Sequence, residues 1–289
     1  MRLLAAIAVA AIAIPTVAGT DSTSLAIAYI CSAERQPEGP GKPELTILKG
    51  MGTGGFAIQT ANPQAQAWFD YGIKLYHGFY HDEAKLAFDK AASLDPTCAM
   101  CAWGQGLAYG STMNYDADEA DIAKAKAATA RAAELGGALS AKDRVLIAAL
   151  EARYTTKTGD EAAYAKAVTD LAAAHPQDNE IASLAAHALL LRARNDVKGT
   201  DEQAVTILEA TLKRSPDDTA AIHYYIHATE FVGRAGLALP YAERLADLAP
   251  DASHLVHMAA HTLFRVGRYQ QVALVNANAM SVDARTGGE

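Results

Sequence analysis

The sequence lacks the features that would point to a known enzyme class or to a nucleic-acid partner. It contains no nucleophile-elbow pattern (GxSxG), no Walker loop and no dinucleotide-binding fingerprint. The chain has a formal net charge of −8 and a pI near 5.6, and it has no block of Lys and Arg that could neutralise a run of phosphates. We therefore expect no nucleic-acid partner, and the sequence leaves open whether the protein is an enzyme.

Aromatic residues and proline are also scarce. Aromatic residues make up 7% of the chain and there are 10 prolines, whereas Ala, Leu, Asp, Glu and Lys are common. This composition favours helix over sheet through intrinsic propensity. The sequence therefore predicts an all-α protein.

The first twenty residues are typical of a secretory signal peptide. Arg2 precedes an apolar stretch that is interrupted by Pro15, and small residues follow as far as Gly19. The stretch before Pro15 spans about a dozen residues, which is short for a bilayer span. We predict a signal peptide over residues 1–20, a periplasmic or secreted protein, and no stable membrane insertion.

Residues 21–64 contain the clusters PEGPGKPE and GMGTGG and show no sustained helical period. We expect this segment to be a leader or loop that packs on the first helices after it.

From Ala65 onward the sequence follows a helical repeat pattern. A large residue, small residues and a terminal proline recur at the spacing of a two-helix unit of about 34 residues; the matching positions of the first unit are Trp68, Gly72, Leu75, Ala84, Phe88, Ala91 and Pro96. Small residues let two antiparallel helices cross closely, and proline cannot continue the second helix. The pattern predicts a stack of helical hairpins.

This segment, together with HYYIHATE and HLVHMAAHTLFRVGRY, resembles exported bacterial proteins of the tetratricopeptide repeat (TPR) family, whose activity is largely undescribed. The resemblance implies a right-handed TPR α-solenoid of about six hairpins over residues 65–289, with degenerate middle units. The repeats stop after the sixth unit, so the last helix can serve as a cap, or the chain can be a fragment, half of a dimer or a shortened relative.

Two HxxxH pairs lie in consecutive units, His223 with His227 and His257 with His261. Residues four apart lie one above the other on a helix. Neighbouring helices are about 8 to 10 Å apart, and metal–imidazole bonds are about 2.0 to 2.1 Å long. Because both pairs should face the same small volume, the sequence predicts that they bind a transition metal together.

The TPR resemblance implies that the first helix of each hairpin lines a concave groove. It places His187 and His254 in that groove as further candidate ligands, together with Glu230 as a carboxylate ligand or a base. His77, Tyr224 and Arg265 are expected beside them.

The predicted cofactor is copper or zinc, with iron as a further option, because imidazole ligands suit all three metals. A metal-dependent activity is one extension of this hypothesis. The alternative is a scaffold without metal, whose groove holds a peptide or protein partner. The sequence does not indicate an oligomeric state.

Cys98 and Cys101 form a CxxC pair, and Cys31 is left over. In an oxidising compartment this spacing can close a small disulfide loop. Two packed thiols and a redox pair remain alternatives.

Overall fold

A computed structural model of the protein describes residues 45–136 and 139–286, and these residues form helices and loops without any strand. The predicted signal peptide, the first part of the predicted leader and Cys31 lie outside the described residues. The prediction of an all-α protein is confirmed. No helix in the described ranges combines the length and apolar character needed to span a membrane.

The described residues form twelve α-helices, and a short 3₁₀ turn at Ala235–Ala238 precedes the tenth. The helices are α1 (Pro63–His77), α2 (His81–Leu94), α3 (Ala99–Ala108), α4 (Glu119–Leu135), α5 (Ala141–Arg153), α6 (Glu161–Ala174), α7 (Asn179–Arg194), α8 (Thr200–Arg214), α9 (Thr219–Phe231), α10 (Leu239–Leu248), α11 (Ser253–Arg265) and α12 (Tyr269–Thr286).

Prolines separate most of the helix pairs. Helices α2, α6, α8 and α10 each end two residues before a proline, and the next helix begins three residues after it; these prolines are Pro96, Pro176, Pro216 and Pro250. Proline cannot continue a helix because it has no N–H and its ring clashes with the preceding turn. The side chains of Asp178 and Asp218 then accept hydrogen bonds from the first-turn amides of α7 and α9, which fixes where these helices start.

Successive helices pack against each other in pairs, and the odd-numbered helices also contact one another. Helix α1 contacts α3, α3 contacts α5, α7 contacts α9, and α9 contacts α11. Helix α1 also contacts α9, although seven helices separate the two in the chain. This packing brings α9 and α11 side by side and places the end of α1 against them.

Phe88 shows why the first hairpins need glycine. Its side chain is fully buried, and a Cβ atom added at Gly72 or Gly104 would lie 2.8 Å or 2.3 Å from its ring. Such distances are too short for any side chain, so both glycines allow the ring to fill the space between the helices. The sequence pattern singled out Gly72 but not Gly104.

Residues 45–62 form an irregular segment with turns and bends that precedes α1. Its Phe56 ring packs against aromatic side chains of α1 and α3, as expected for a segment that packs on the first helices. It also contacts much later parts of the chain. The backbone amide of Asp251 donates to the carbonyl oxygen of Gly50, the amide of Gly50 donates to the side chain of Asp251, and Thr53 is hydrogen-bonded to Thr219. The predicted packing on the first helices therefore accounts for only part of the contacts that this segment makes.

Candidate metal centre

Five histidines of α9 and α11 form one cluster in which each ring neighbours two others. On α9 the rings of His223 and His227 are 5.0 Å apart, and on α11 His257 lies 5.1 Å from His261 and 6.1 Å from His254. Across the two helices, His223 lies 5.1 Å from His254 and His227 lies 5.4 Å from His261. We call these five residues the histidine cluster. The two HxxxH pairs thus face a common volume, with His254 between them.

His223, His227 and His254 are positioned to hold a metal ion. One nitrogen of each ring lies within 4.8 Å of one nitrogen of the other two. The Nε2 atom of each ring is buried and has no hydrogen-bond partner among the described residues. We call these three residues the buried group.

The backbone of α1 holds one ring of the buried group in place. The Nδ1–H of His223 donates a hydrogen bond to the carbonyl oxygen of His77 at 2.6 Å. This bond fixes the tautomer that leaves the lone pair on Nε2, which is the arrangement usual for metal-binding histidines.

A second group consists of His227, Glu230 and His261, whose potential ligand atoms also lie within 4.8 Å of one another. The Nδ1 atom of His261 donates to one carboxylate oxygen of Glu230 at 3.0 Å, and Nε of Arg265 donates to the other at 2.8 Å. We call this set the carboxylate group. It shares His227 with the buried group.

Burial keeps the imidazoles of the buried group neutral. Burial is the largest cause that lowers the pKa of His223, to about 3, and it also lowers the pKa values of His227 and His254; neighbouring histidines lower all three further. A neutral imidazole keeps the lone pair that a metal ion needs. Burial opposes ionisation of Glu230, but hydrogen bonds and charges from His261 and Arg265 outweigh it and lower the pKa of this carboxyl group.

Phe79, in the turn between α1 and α2, is inserted into the histidine cluster. Its ring centroid lies 4.3 Å from that of His223, 5.2 Å from that of His254 and 5.8 Å from that of His227. Its φ of 65° lies in the left-handed region, which costs a bulky residue about 1 kcal/mol or more. The sequence analysis missed this residue, and the only available signal was the short helix-ending turn GFY.

His81 also borders the cluster, although it was not among the candidate residues of the predicted groove. Its ring lies 5.5 Å from that of Phe79, its Nε2 is 3.0 Å from the hydroxyl of Thr112, and its Nδ1 has no partner among the described residues. It belongs to the second helix of its hairpin, which explains why a pattern of first-helix positions did not find it.

The remaining predicted site residues occupy different surroundings. His257 belongs to the cluster but to neither metal-binding group, and its Nδ1 donates to Oδ1 of Asn276 at 2.7 Å. His187 also lies outside both groups, with its Nδ1 3.0 Å from the hydroxyl of Tyr76.

His77 links three helices. Its Nε2 donates to Glu180 at 2.6 Å, and its Nδ1 accepts from the hydroxyl of Tyr224 at 2.8 Å. Since both of its nitrogens are engaged, the side chain of His77 serves as a bridge from α1 to α7 and α9. It is the backbone carbonyl of His77 that reaches the histidine cluster.

Cys98 and Cys101 are joined by a disulfide. Both residues are buried, and the Cys98 sulfur accepts a hydrogen bond from the backbone amide of Cys101 at the start of α3. This burial favours a structural role over a redox role, because a reactive thiol must be accessible.

The sequence matches no model of a known protein family, and it matches no curated protein. The arrangement of the histidines, together with the repeat pattern, is therefore the basis for a function.

Proposed function

We propose that this chain is an exported TPR-type solenoid that binds one transition-metal ion through Nε2 of His223, His227 and His254. The paired helices, the contacts between odd-numbered helices and the recurring prolines support the solenoid. Of the sequence-predicted candidate ligands, the proposal keeps His223, His227 and His254. It assigns His257 and His261 to the surroundings of the ion.

The observation that carries the proposal is the set of three buried Nε2 atoms without a partner. A buried polar atom that makes no hydrogen bond costs about 1–3 kcal/mol, so three of them on rings of one cluster are expensive for a fold to keep. A metal ion bound to all three lone pairs removes this cost. Copper and zinc are the favoured ions because both accept three imidazole ligands and leave a further position open.

A TPR scaffold that holds a peptide in the same groove is the alternative, and it has less support. Phe79 occupies the space in front of His223, His227 and His254. A peptide would have to displace this ring before it reached the histidines. A catalytic role would require a substrate at the open metal position, and no contact of the described residues identifies one.

The decisive experiment measures the metal content of protein that is purified without a histidine tag. We expect close to one copper or zinc ion per chain, and we expect His227→Ala and His254→Ala to lose it. His175→Ala is the matched control, because His175 is exposed and lies outside the cluster. Its metal content should equal that of the wild type.

Circular dichroism separates loss of the ligand from loss of the fold. Should an alanine variant unfold, His254→Gln, which keeps a polar side chain of similar length, replaces it in the same assay. Wild-type protein that stays metal-free after dialysis against Cu²⁺ or Zn²⁺, or folded variants that retain full metal content, would refute the proposal.

A further inference from the structure

An ion in the buried group needs a route from solvent. The Nε2 atoms of His223, His227 and His254 are buried, and the ring of Phe79 covers one side of them. A hydrated divalent ion cannot reach these nitrogens without first exchanging water for intermediate ligands.

The carboxylate group connects the buried group to the surface. The Arg265 side chain is 40% exposed, whereas the Glu230 and His261 side chains are 9% and 6% exposed. Glu230 contacts both Arg265 and His261, and the His261 ring neighbours that of His227. Exposure therefore falls stepwise from Arg265 towards the shared histidine.

Sharing of His227 limits how the two groups can be used. A neutral imidazole has a single lone pair for a ligand bond. His227 can therefore serve an ion in the carboxylate group or an ion in the buried group, but not both at once. The two groups are therefore two positions that one ion occupies in succession.

We infer that Glu230 and His261 form the entry position through which the metal ion reaches the buried group. His227, which belongs to both groups, binds the ion first at the entry position and then in the buried group. The inference rests on the proposed function, since it assumes that the buried group holds the ion at rest. Glu230 attracts the arriving cation by its charge, and His261 offers a nitrogen beside it. Arg265 now occupies one oxygen of Glu230, so the incoming ion must displace a guanidinium of like charge.

This route predicts that Glu230 controls the rate of exchange more than the affinity. An entry position lowers the barrier in both directions, so its loss slows loading and release by the same factor. We expect Glu230→Gln to slow both about tenfold, the lower end of the effect of a charged entrance on association rates. His261→Gln should slow both as well, and Arg265→Gln should speed both because the guanidinium then no longer competes with the ion for Glu230.

Stopped-flow mixing of Zn²⁺-bound indicator dye with metal-free protein measures loading, and mixing of zinc-loaded protein with excess chelator measures release. Glu243→Gln is the matched control, because this substitution removes the same charge. Glu243 pairs with Arg268 at 2.7 Å and does not belong to either metal-binding group. Its two rates should equal those of the wild type, which excludes an effect of net charge alone.

The outcomes separate the two proposals. A wild-type chain that binds neither Zn²⁺ nor Cu²⁺ overturns both the proposed function and the entry route; for a chain that binds only Cu²⁺, the same two mixing experiments are done with Cu²⁺. A chain that binds one Zn²⁺, but whose two rates are the same in Glu230→Gln as in the wild type, overturns the entry route alone. Two ions per chain, or a tenfold loss of equilibrium affinity in Glu230→Gln, also overturns the route, because the carboxylate group would then hold an ion at rest.

Discussion

Replacement of His227 by leucine should affect stability in opposite directions without and with metal. The His227 side chain is buried, its Nε2 makes no hydrogen bond among the described residues, and its ring stacks on that of Phe79. Leucine fills a similar volume and keeps an apolar contact with Phe79, while it removes the unpaired nitrogen. Because a buried polar atom without a partner costs about 1–3 kcal/mol, metal-free His227→Leu should be more stable than the metal-free wild type by about that amount.

Bound metal should reverse this order of stability, so that the wild type becomes more stable than His227→Leu. A ligand that binds only the folded state at 1,000 times its dissociation constant stabilises it by about 4.1 kcal/mol. The wild type should gain this amount when copper or zinc is added, and His227→Leu should gain little because its buried group is incomplete. For a domain of this size, 1 kcal/mol shifts Tm by roughly 2–4 °C, so both effects are measurable by thermal unfolding with chelator or with excess metal.

His187→Leu is the control for this prediction. His187 is also a buried histidine whose Nε2 has no partner among the described residues, but it belongs to neither metal-binding group, and its Nδ1 is hydrogen-bonded to the Tyr76 hydroxyl. Its replacement removes one unpaired nitrogen but leaves the Tyr76 hydroxyl unpaired, so the two effects offset each other, and the stability difference from the wild type should be the same in chelator and in metal. If His227→Leu also shows the same stability difference from the wild type in both conditions, the reasoning about unpaired nitrogens is wrong.

Three further predictions concern residues around the site. Replacement of Cys98 and Cys101 by serine should lower the free energy of unfolding by about 2 kcal/mol, as expected for a short disulfide loop, while the metal content measured by mass spectrometry stays at the wild-type value. Glu161→Ala should cost about 3 kcal/mol in urea unfolding, because it leaves the fully buried guanidinium of Arg153 without its carboxylate partner at 2.9 Å. Phe79→Ala should cost about 3 kcal/mol through lost packing and should accelerate metal release to chelator, since water then reaches the histidines; an unchanged release rate would show that the ring does not cover the ion.

The sequence predicted the helical class and the meeting of the two HxxxH pairs for a sound physical reason. Helical spacing fixes which residues share a face, and the hairpin pattern places α9 beside α11. His254 was predicted only as a further candidate ligand beside the two HxxxH pairs, because its relation to His223 depends on the relative rotation of two helices. Spacing along one chain segment does not determine that rotation.

The contribution of the first hairpin could not be predicted from sequence spacing. Phe79 contacts histidines about 150 residues later in the chain, and nothing in the local pattern around it signals this contact. Its positive φ is also hidden in the sequence, because glycine is the residue usually found in that conformation. A neighbouring glycine, Gly78, instead takes a φ of −87°.

The end of α1 therefore completes a site whose ligands all come from α9 and α11. The carbonyl oxygen of His77 orients His223, the ring of Phe79 packs against the rings of His223, His227 and His254, and the Tyr80 hydroxyl bonds to Ser253 at the start of α11. Each of these contacts joins segments that are distant in the chain, so each becomes possible only when the first hairpin closes on the last two. Metal binding and this closure should then stabilise each other. If the three ligands come together only when the first hairpin is closed on the last two, an ion that binds them stabilises the closed arrangement by its full binding free energy.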